Sequence, residues 1–402
     1  MELRPAGPPA RDETSDPELL TAIRSEIAEV GPMTFARFME IALYDPARGY
    51  YRGPVARPGR AGDFLTAPEA SPIFGRTLAR LALAVHAAIG APDAFAIREH
   101  GAGTGALAAP LVGALLGARH GPRTIRYLVD EIEPARVAAV REAVDAELAT
   151  AARDTSLRGA AAPAVGRVAV ESDDGRPIVG FVVANEVLDA LPTHRVVGRG
   201  GAMREVLVDV GPDGSLVDRE AAPTTPALAN RLAADGVALG DGQQAEICLA
   251  LDGWVERAAA GLGRGALLLV DYGHAAEELY DPRRRAAGTL ATYLGHRVGE
   301  DPYRAVGRQD ITAHVDFSAV ERAAAAAGLV PLGVTTQAEL LDRLGAGELL
   351  VAEQTAAGAD LQSYLATRSA LVRMIDPAAM GRFRVLAFGR GLAPDTVLPG
   401  FG

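Results

Sequence analysis

The stretch AFAIREHGAGTGAL (residues 94–107) decides the fold. AFAIREH reads as a short strand, Gly101, Gly103 and Gly105 as a turn, and the apolar text that follows, ALAAPLVGALLGA, as a helix. Glycines are needed where a backbone takes positive φ or passes close to a ligand. The helix behind them offers free N–H groups and a dipole that favours a negatively charged group. Further along, TIRYLVDE (124–131) reads as a second strand, GRVAVES as a third, PIVGFVVAN (177–185) as a fourth and ALLLVDYG (266–273) as a fifth. Helices lie between them, in PARVAAVREAVDAELATAA and around Ala250–Ala260. Short apolar strands alternating with helices predict an α/β fold with a parallel, doubly wound, Rossmann-like sheet.

The flanks are different in kind. PELLTAIRSEIAEVG and FARFMEIAL, before the core, are helical, as is IFGRTLARLALAVHAAIG, with loop-like text between. HRVVGRGGAMREVLVDVGPDGSL (194–216) reads as an antiparallel insertion with turns at Gly200–Gly201 and Pro212–Gly214. After the fifth strand come an irregular region (274–316), a helix (317–328) and a closing strand, FRVLAFGRG (383–391). The organisation expected is a disordered tail (1–17), an N-terminal helical extension with a loop (18–93), a core (94–193 and 246–273), an antiparallel cap (194–245) and a C-terminal part (274–402) completing cap and sheet.

Composition narrows the function. The 402 residues carry a net charge of -11, which argues against a nucleic-acid or anionic-membrane binder. The longest apolar run, LARLALAVHAAIGAP (78–92), is too short for a membrane span and contains Arg80 and His86. All 40 basic residues are Arg, which with the Ala, Gly and Pro usage points to a GC-rich, bacterial genome, so single arginines say little about ligands. The one cysteine, Cys248, excludes an intrachain disulfide and fits a reducing, cytoplasmic location; its AEICLALDGW context reads as a helix with a structural thiol. His274, His296 and His314 have no compact ligand spacing, so no metal is expected.

Two cofactors fit the glycine turn. As G-x-G-x-x-A (Gly101, Gly103, Ala106) it matches a dinucleotide fingerprint, the oxidoreductase reading with NAD(P). As E-x-G-x-G-x-G it matches the S-adenosylmethionine loop of class I methyltransferases. Glu99 favours the second, because a carboxylate there serves an ammonium group and repels a pyrophosphate. Asp130 and Glu131, at the end of the second strand, suit a ribose diol in either reading.

The blocks GPMTFARFMEIALYDPARGYY (31–51), GDFLTAPEASPIFG (62–75), EHGAGTG (99–105), ANEVLDALP (184–192), LLLVDYG (267–273) and DITAHVDFS (310–318) occur in the order found in one family. Over residues 20 to 391 the chain resembles the MidA-like methyltransferases, whose mitochondrial relatives help assemble respiratory complex I as protein-arginine methyltransferases. The resemblance implies S-adenosyl-L-methionine as cofactor and S-adenosyl-L-homocysteine as product. It implies that Glu99, Gly101 and Gly103 hold the methionine part, with Gly105 in the same turn, and that Glu131 takes the ribose hydroxyls. Asp63 and Thr66 would lie over the cofactor, and Asn185, Glu186 and Asp189 at the mouth of the site. The chain departs from the family at His100-Gly101-Ala102, where Leu-Gly-Pro is commoner.

Glu186 and Asp189 follow the fourth strand directly, at the end of the sheet where open α/β folds bind ligands. A helical ANEVLDAL would put both on one face. Paired carboxylates suit a guanidinium, a planar fork of donors. They would orient it and accept its proton during methyl transfer. His274 and His314 are candidate bases for a hydroxyl or carboxyl acceptor. The function expected is therefore methylation of protein arginine. The alternatives are O- or N-methylation of a small molecule, with the cap setting the choice, and an assembly factor that works mainly through partner contacts. A homodimer is expected without a particular residue behind it.

Overall fold

The computed structural model describes residues 15–52, 63, 65–153, 167–355 and 360–401. Apolar runs at the centre of the chain form β1 (Ala94–His100), β2 (Thr124–Asp130), β3 (Arg167–Ser172), β4 (Ile178–Asn185) and β5 (Leu262–Asp271); β6 (Val330–Thr336) and β7 (Arg384–Arg390) follow. They build one sheet in the order β6-β7-β5-β4-β1-β2-β3. β1 to β5 pair in parallel, and β7 lies antiparallel between β5 and β6. The doubly wound expectation holds, with one antiparallel strand at the C-terminal end.

β4 shows why these strands read as continuous apolar runs. Phe181 and Val183 point into a core shared with the helices Ile73–Ala88 and Ala108–Gly117. Val182 and Ala184 point the other way, toward the helices Ala250–Ala260 and Phe317–Ala326. With both faces covered, alternation disappears, and each large side chain buried there stabilises the sheet by about 1.5–3 kcal/mol. The strand order reverses between β1 and β4, which opens a crevice at their carboxyl ends.

The insertion forms a second sheet. His194–Arg199 pairs with both Ala202–Val210 and Gln244–Ile247, and Leu216–Ala221 adds to the outside. The strand Gln244–Ile247 carries this insertion slightly past residue 245. It also corrects the reading of AEICLALDGW. Cys248 sits at a strand-to-helix junction, its thiol directed at the Pro192 carbonyl, 3.5 Å away, and burial pushes it up to about 12. It is no nucleophile.

Met33 and Thr34 pair with Val208 and Leu207, which ties the N-terminal helices Pro17–Val30 and Phe35–Tyr44 to the inserted sheet. Their core contains Phe35 and Phe38 against Val208, Tyr303, Val306 and Ile311. The expected tail lies outside the described residues up to position 14. Its last residues are structured: Asp16 caps the first helix, accepting from the N–H groups of Glu18 and Leu19 at 3.1 Å, and the buried Ser15 hydroxyl accepts from Val306 N–H at 3.0 Å.

Two further corrections concern the C-terminal part. Region 274–316 is not irregular: Ala291–Leu294 pairs with Arg297–Gly299 and Asp310–Thr312, and Gly273–His274 with Val315–Asp316. Helices Gln337–Arg343, Ala346–Thr355 and Leu361–Ile375 fill the stretch before β7. Their caps were readable, with Thr336 and Glu339 forming a capping box and Asp360 capping the last helix. Among the described residues no helix is long and apolar enough to cross a membrane.

Candidate active site

Three glycines carry the chain from β1 into the helix Ala108–Gly117. Gly101, Gly103 and Gly105 have φ of 69, 55 and 81°, all in the left-handed region. At Gly105 an added Cβ would stand 3.0 Å from the Val140 Cα, so this glycine lets two helices approach. At Gly103 it would meet nothing within 4 Å, because that residue faces open space. The space is a cleft of about 200 Å³, bounded by the glycine turn, the ends of β2 and β4, and the N-terminal extension. The residue before the helix, Leu107, has no side chain that could cap its N–H groups.

Four polar side chains from the ends of β1 and β2 line the cleft. Glu99 is buried and accepts from the Tyr127 hydroxyl at 2.5 Å. Burial pushes its carboxyl up to about 8; the Tyr127 bond opposes this and Glu131 adds to it. Glu131 reaches back over the turn to accept from Gly103 N–H at 2.5 Å, with an Arg136 guanidinium nitrogen 3.8 Å away. Burial raises its carboxyl and Arg136 holds it down. Asp130 receives His100 Nδ1 at 2.5 Å, and that bond lowers its carboxyl. This pairing is the structural sense of the family departure at His100. The imidazole also lies 5.1 Å from the Trp254 ring, and its Nε2 is buried without a hydrogen-bond partner.

The chain after β4 is a turn and not the helix considered above. Glu186 itself takes φ 53°, uncommon for a residue with a Cβ and a strain of about 1–2 kcal/mol. The turn is pinned from below by Asp271, wholly buried at the end of β5, which accepts from Val187 and Leu188 N–H at 3.1 and 2.8 Å and from Tyr272 N–H at 2.8 Å. Glu186 therefore faces the cleft. Its Oε1 accepts from Asn185 Nδ2 at 3.0 Å and Ala67 N–H at 3.3 Å, while Asn185 Oδ1 is buried and unpartnered. Burial, reinforced by Asp189, pushes the Glu186 carboxyl up to about 8.

Not all candidate residues gather here. Glu99, Gly101, Gly103, Asp130, Glu131, Thr66, Asn185 and Glu186 line the cleft. Gly105 supports the turn from behind. Asp189 points away from the cleft: it takes a hydrogen bond from the Tyr272 hydroxyl and borders a separate small chamber with His314. Burial raises its carboxyl and the Tyr272 bond opposes the rise. Asp63 does not line the cleft either. It accepts from Tyr50 OH at 2.9 Å and Gly295 N–H at 2.6 Å, fastening the 295–296 turn to the extension. His274 is also outside, its Nδ1 donating to Glu278 at 3.2 Å and its Nε2 accepting from Arg285 at 2.5 Å. Both of its nitrogens are occupied, so it is not a free base.

For Tyr51 the sequence leaves open whether it walls a pocket or simply packs, and it does not single out Tyr44 or Glu69. Tyr44 and Tyr51 stack with centroids 5.5 Å apart and roof the cleft, their hydroxyls bonded to Ala190 O and Asp310 Oδ1, both at 2.8 Å. Glu69 lines it too, receiving Thr66 Oγ1 at 3.1 Å; the T-x-x-E spacing was its signal. Asp310 is buried, and burial followed by the nearby Asp189 pushes it up to about 8. Among the described residues, Glu186, Asp189, Asp271 and Asp310 form no ion pair with an arginine. No group of three or more His, Cys, Asp or Glu among the described residues is arranged to hold a metal ion.

Comparison with known proteins places these features in a family. The family model described as an S-adenosyl-L-methionine-dependent methyltransferase matches residues 77–335. A Burkholderia thailandensis protein crystallised with S-adenosyl-homocysteine bound is 35% identical, with a TM-score of 0.82 and coverage of 100% of this chain and 98% of that one. A native crystal structure from the same organism gives 34% identity and a TM-score of 0.80 over the same shares. The Drosophila melanogaster protein arginine methyltransferase NDUFAF7 homolog, mitochondrial, is 29% identical over 95% of this chain and 87% of its own length. The human protein arginine methyltransferase NDUFAF7, mitochondrial, is 28% identical over 81% and 73%. With its doubly wound sheet, its glycine cleft and the order of its blocks, the chain belongs to the MidA-like family and is an S-adenosyl-L-methionine-dependent methyltransferase.

Proposed function

We propose that this methyltransferase acts on the guanidinium of arginine in a protein partner. The observation that carries the reading is a group of four carboxylates around the turn after β4, Glu186 half-buried at the cleft and Asp189, Asp271 and Asp310 buried behind it, with no arginine paired to any of them among the described residues. The chain neutralises buried charge elsewhere: Arg98, 1% exposed, is bonded to Asp173 at 2.7 Å. Acids left unpaired beside a ligand cleft suit a cation that arrives from outside. The relatives named as protein arginine methyltransferases point the same way.

The cleft fits S-adenosylmethionine by its donors and acceptors. Buried polar atoms without partners, His100 Nε2 and Asn185 Oδ1, belong to lining residues, and a ligand there satisfies them. Gly103 and the uncapped helix head would hold the cofactor's carboxylate, Glu99 its ammonium group, and Glu131 the ribose hydroxyls in place of Gly103 N–H. When bound, the cofactor supplies an electrophilic methyl group. Glu186, held by Asn185 and Ala67, orients the guanidinium, and the neighbouring acids draw its positive charge away from the attacking nitrogen. That nitrogen exchanges an N–H bond for an N–C bond, and its proton passes to a carboxylate. Positioning dominates such a displacement.

The test is incubation with methyl-labelled cofactor and a host lysate, followed by acid hydrolysis of the protein fraction. Label in methylarginine is the expected result. Label confined to small molecules, or to another amino acid, refutes the reading.

A further inference from the structure

Behind the acceptor wall lies the small chamber bordered by Asp189. Thr193, Cys248 and His314 also line it, together with Glu246 and Asp316. Its volume is about 20 Å³, room for one water molecule. Two of its bordering residues carry buried atoms with no hydrogen-bond partner within the chain, Thr193 Oγ1 and His314 Nδ1. Two such atoms, beside a carboxylate, supply the polar contacts that an internal water requires. We propose that the chamber holds an ordered water joining Asp189, Thr193 and His314, and that this water and His314 conduct the proton released by methyl transfer from the acceptor wall to solvent.

The geometry gives the route a direction. Asp189 stands between the cleft turn, which carries Glu186, and the chamber. A proton arriving on Asp189 passes to the water, and the water protonates His314 Nδ1. His314 is only partly buried, and of its two ring nitrogens Nδ1 is the buried, unpartnered one, so the other proton leaves from Nε2. Nothing is oxidised or reduced; one proton leaves for each methyl group transferred.

The surroundings keep His314 a conductor and not a store. Its ring meets Tyr272 edge-on, centroids 5.5 Å apart, and lies 5.4 Å from His274. Burial, followed by His274 and then Arg285 and Arg382, pushes the imidazole down to about 4. On the chamber side the other acids have partners of their own: Glu246 accepts from Thr289 N–H and Oγ1 at 2.6 and 3.0 Å, and Asp316 from Ala319 N–H at 3.0 Å. The inference rests on the proposed function only in that the acceptor loses a proton, which a hydroxyl or amine acceptor would do as well. His314 is thus a positioning residue that acts through Asp189.

Two measurements test it on the full chain. A high-resolution crystal structure should show water within about 3.2 Å of both Thr193 Oγ1 and His314 Nδ1. Replacing His314→Ala should lower kcat about tenfold, within the range of lost proton-transfer assistance, and raise the solvent deuterium isotope effect. KM and S-adenosylhomocysteine affinity should not move, and added imidazole should restore the rate. Thr193→Val, nearly the same size, should lower kcat with the same isotope signature. A dry chamber overturns the proposal, as does a His314→Ala protein with wild-type kcat and isotope effect. If methyl groups reach only a small molecule, the arginine reading fails, and both measurements are made with that acceptor instead.

Discussion

Replacing Glu186→Gln should abolish methyl transfer and at the same time stabilise the ligand-free protein at alkaline pH. The amide keeps the carboxylate's shape and can still accept from Asn185 Nδ2 and Ala67 N–H. What it removes is a charge. In the folded chain the Glu186 carboxyl is pushed from 4.5 up to about 8, chiefly by burial. Below 4.5 both folded and unfolded chains hold the proton, and the residue has no effect on stability. Between 4.5 and about 8 the unfolded chain has lost the proton and the folded chain has kept it, so stability falls as pH rises. Above 8 both forms are ionised and the full penalty remains. That window spans about 3.5 pH units, or about 5 kcal/mol at 1.36 kcal/mol per unit. Glu186 still touches the cleft, and water there reduces this to about 2 kcal/mol. For 402 residues unfolding with about 2.1 cal/mol/K each, 2 kcal/mol corresponds to a rise in Tm of roughly 2–3 °C. Thermal melts of wild type and variant from pH 5 to 9 should coincide at the acid end and separate progressively toward pH 8.5. A constant offset, or a variant that melts earlier at pH 8.5, would refute the claim that Glu186 is a buried acid waiting for a cation.

Other substitutions probe the cofactor side and the frame. Glu99→Gln should weaken S-adenosylhomocysteine binding by about 10- to 100-fold in calorimetric titration, the loss of a charge-assisted contact of about 1.5–3 kcal/mol. Gly105→Ala should cost about 1–3 kcal/mol more stability than Gly103→Ala, since only the former meets backbone, at Val140, in addition to positive φ. In ligand binding the order should reverse, because only Gly103 faces the cleft, and matched denaturation and titration curves check both. Arg98→Met should destabilise by about 3–5 kcal/mol, leaving Asp173 without the guanidinium it holds, and Asp173→Asn should recover part of the loss in urea melts.

The sheet was legible because its signals are local. An apolar run of five to eight residues bounded by turn text needs no knowledge of its neighbours, and β1 to β5 fell where such runs fall. Helices 337–375 were equally local, and their caps stood in the text. The antiparallel placement of β7 was not legible, since it depends on which edge the chain returns to after passing through those helices. The same split runs through the site. Glu99, Asn185 and Glu186 belong to strand ends, and a strand end in this topology faces the crevice. Asp63 and His274 belong to loops, and their side chains turned to partners that only the tertiary structure supplies, the 295–296 turn and Arg285.

The acids show why spacing alone misleads at such a place. A separation of three suggested one helix face for Glu186 and Asp189. Asp271 instead draws two backbone N–H groups of that segment onto its carboxylate, and the chain turns through a left-handed residue. The result sends Glu186 to the cleft and Asp189 to the chamber behind it. One carboxylate then lines the cleft, while the other stands behind it on the way out that we propose for the proton. The strain at Glu186 thus separates two tasks that the spacing made look like one.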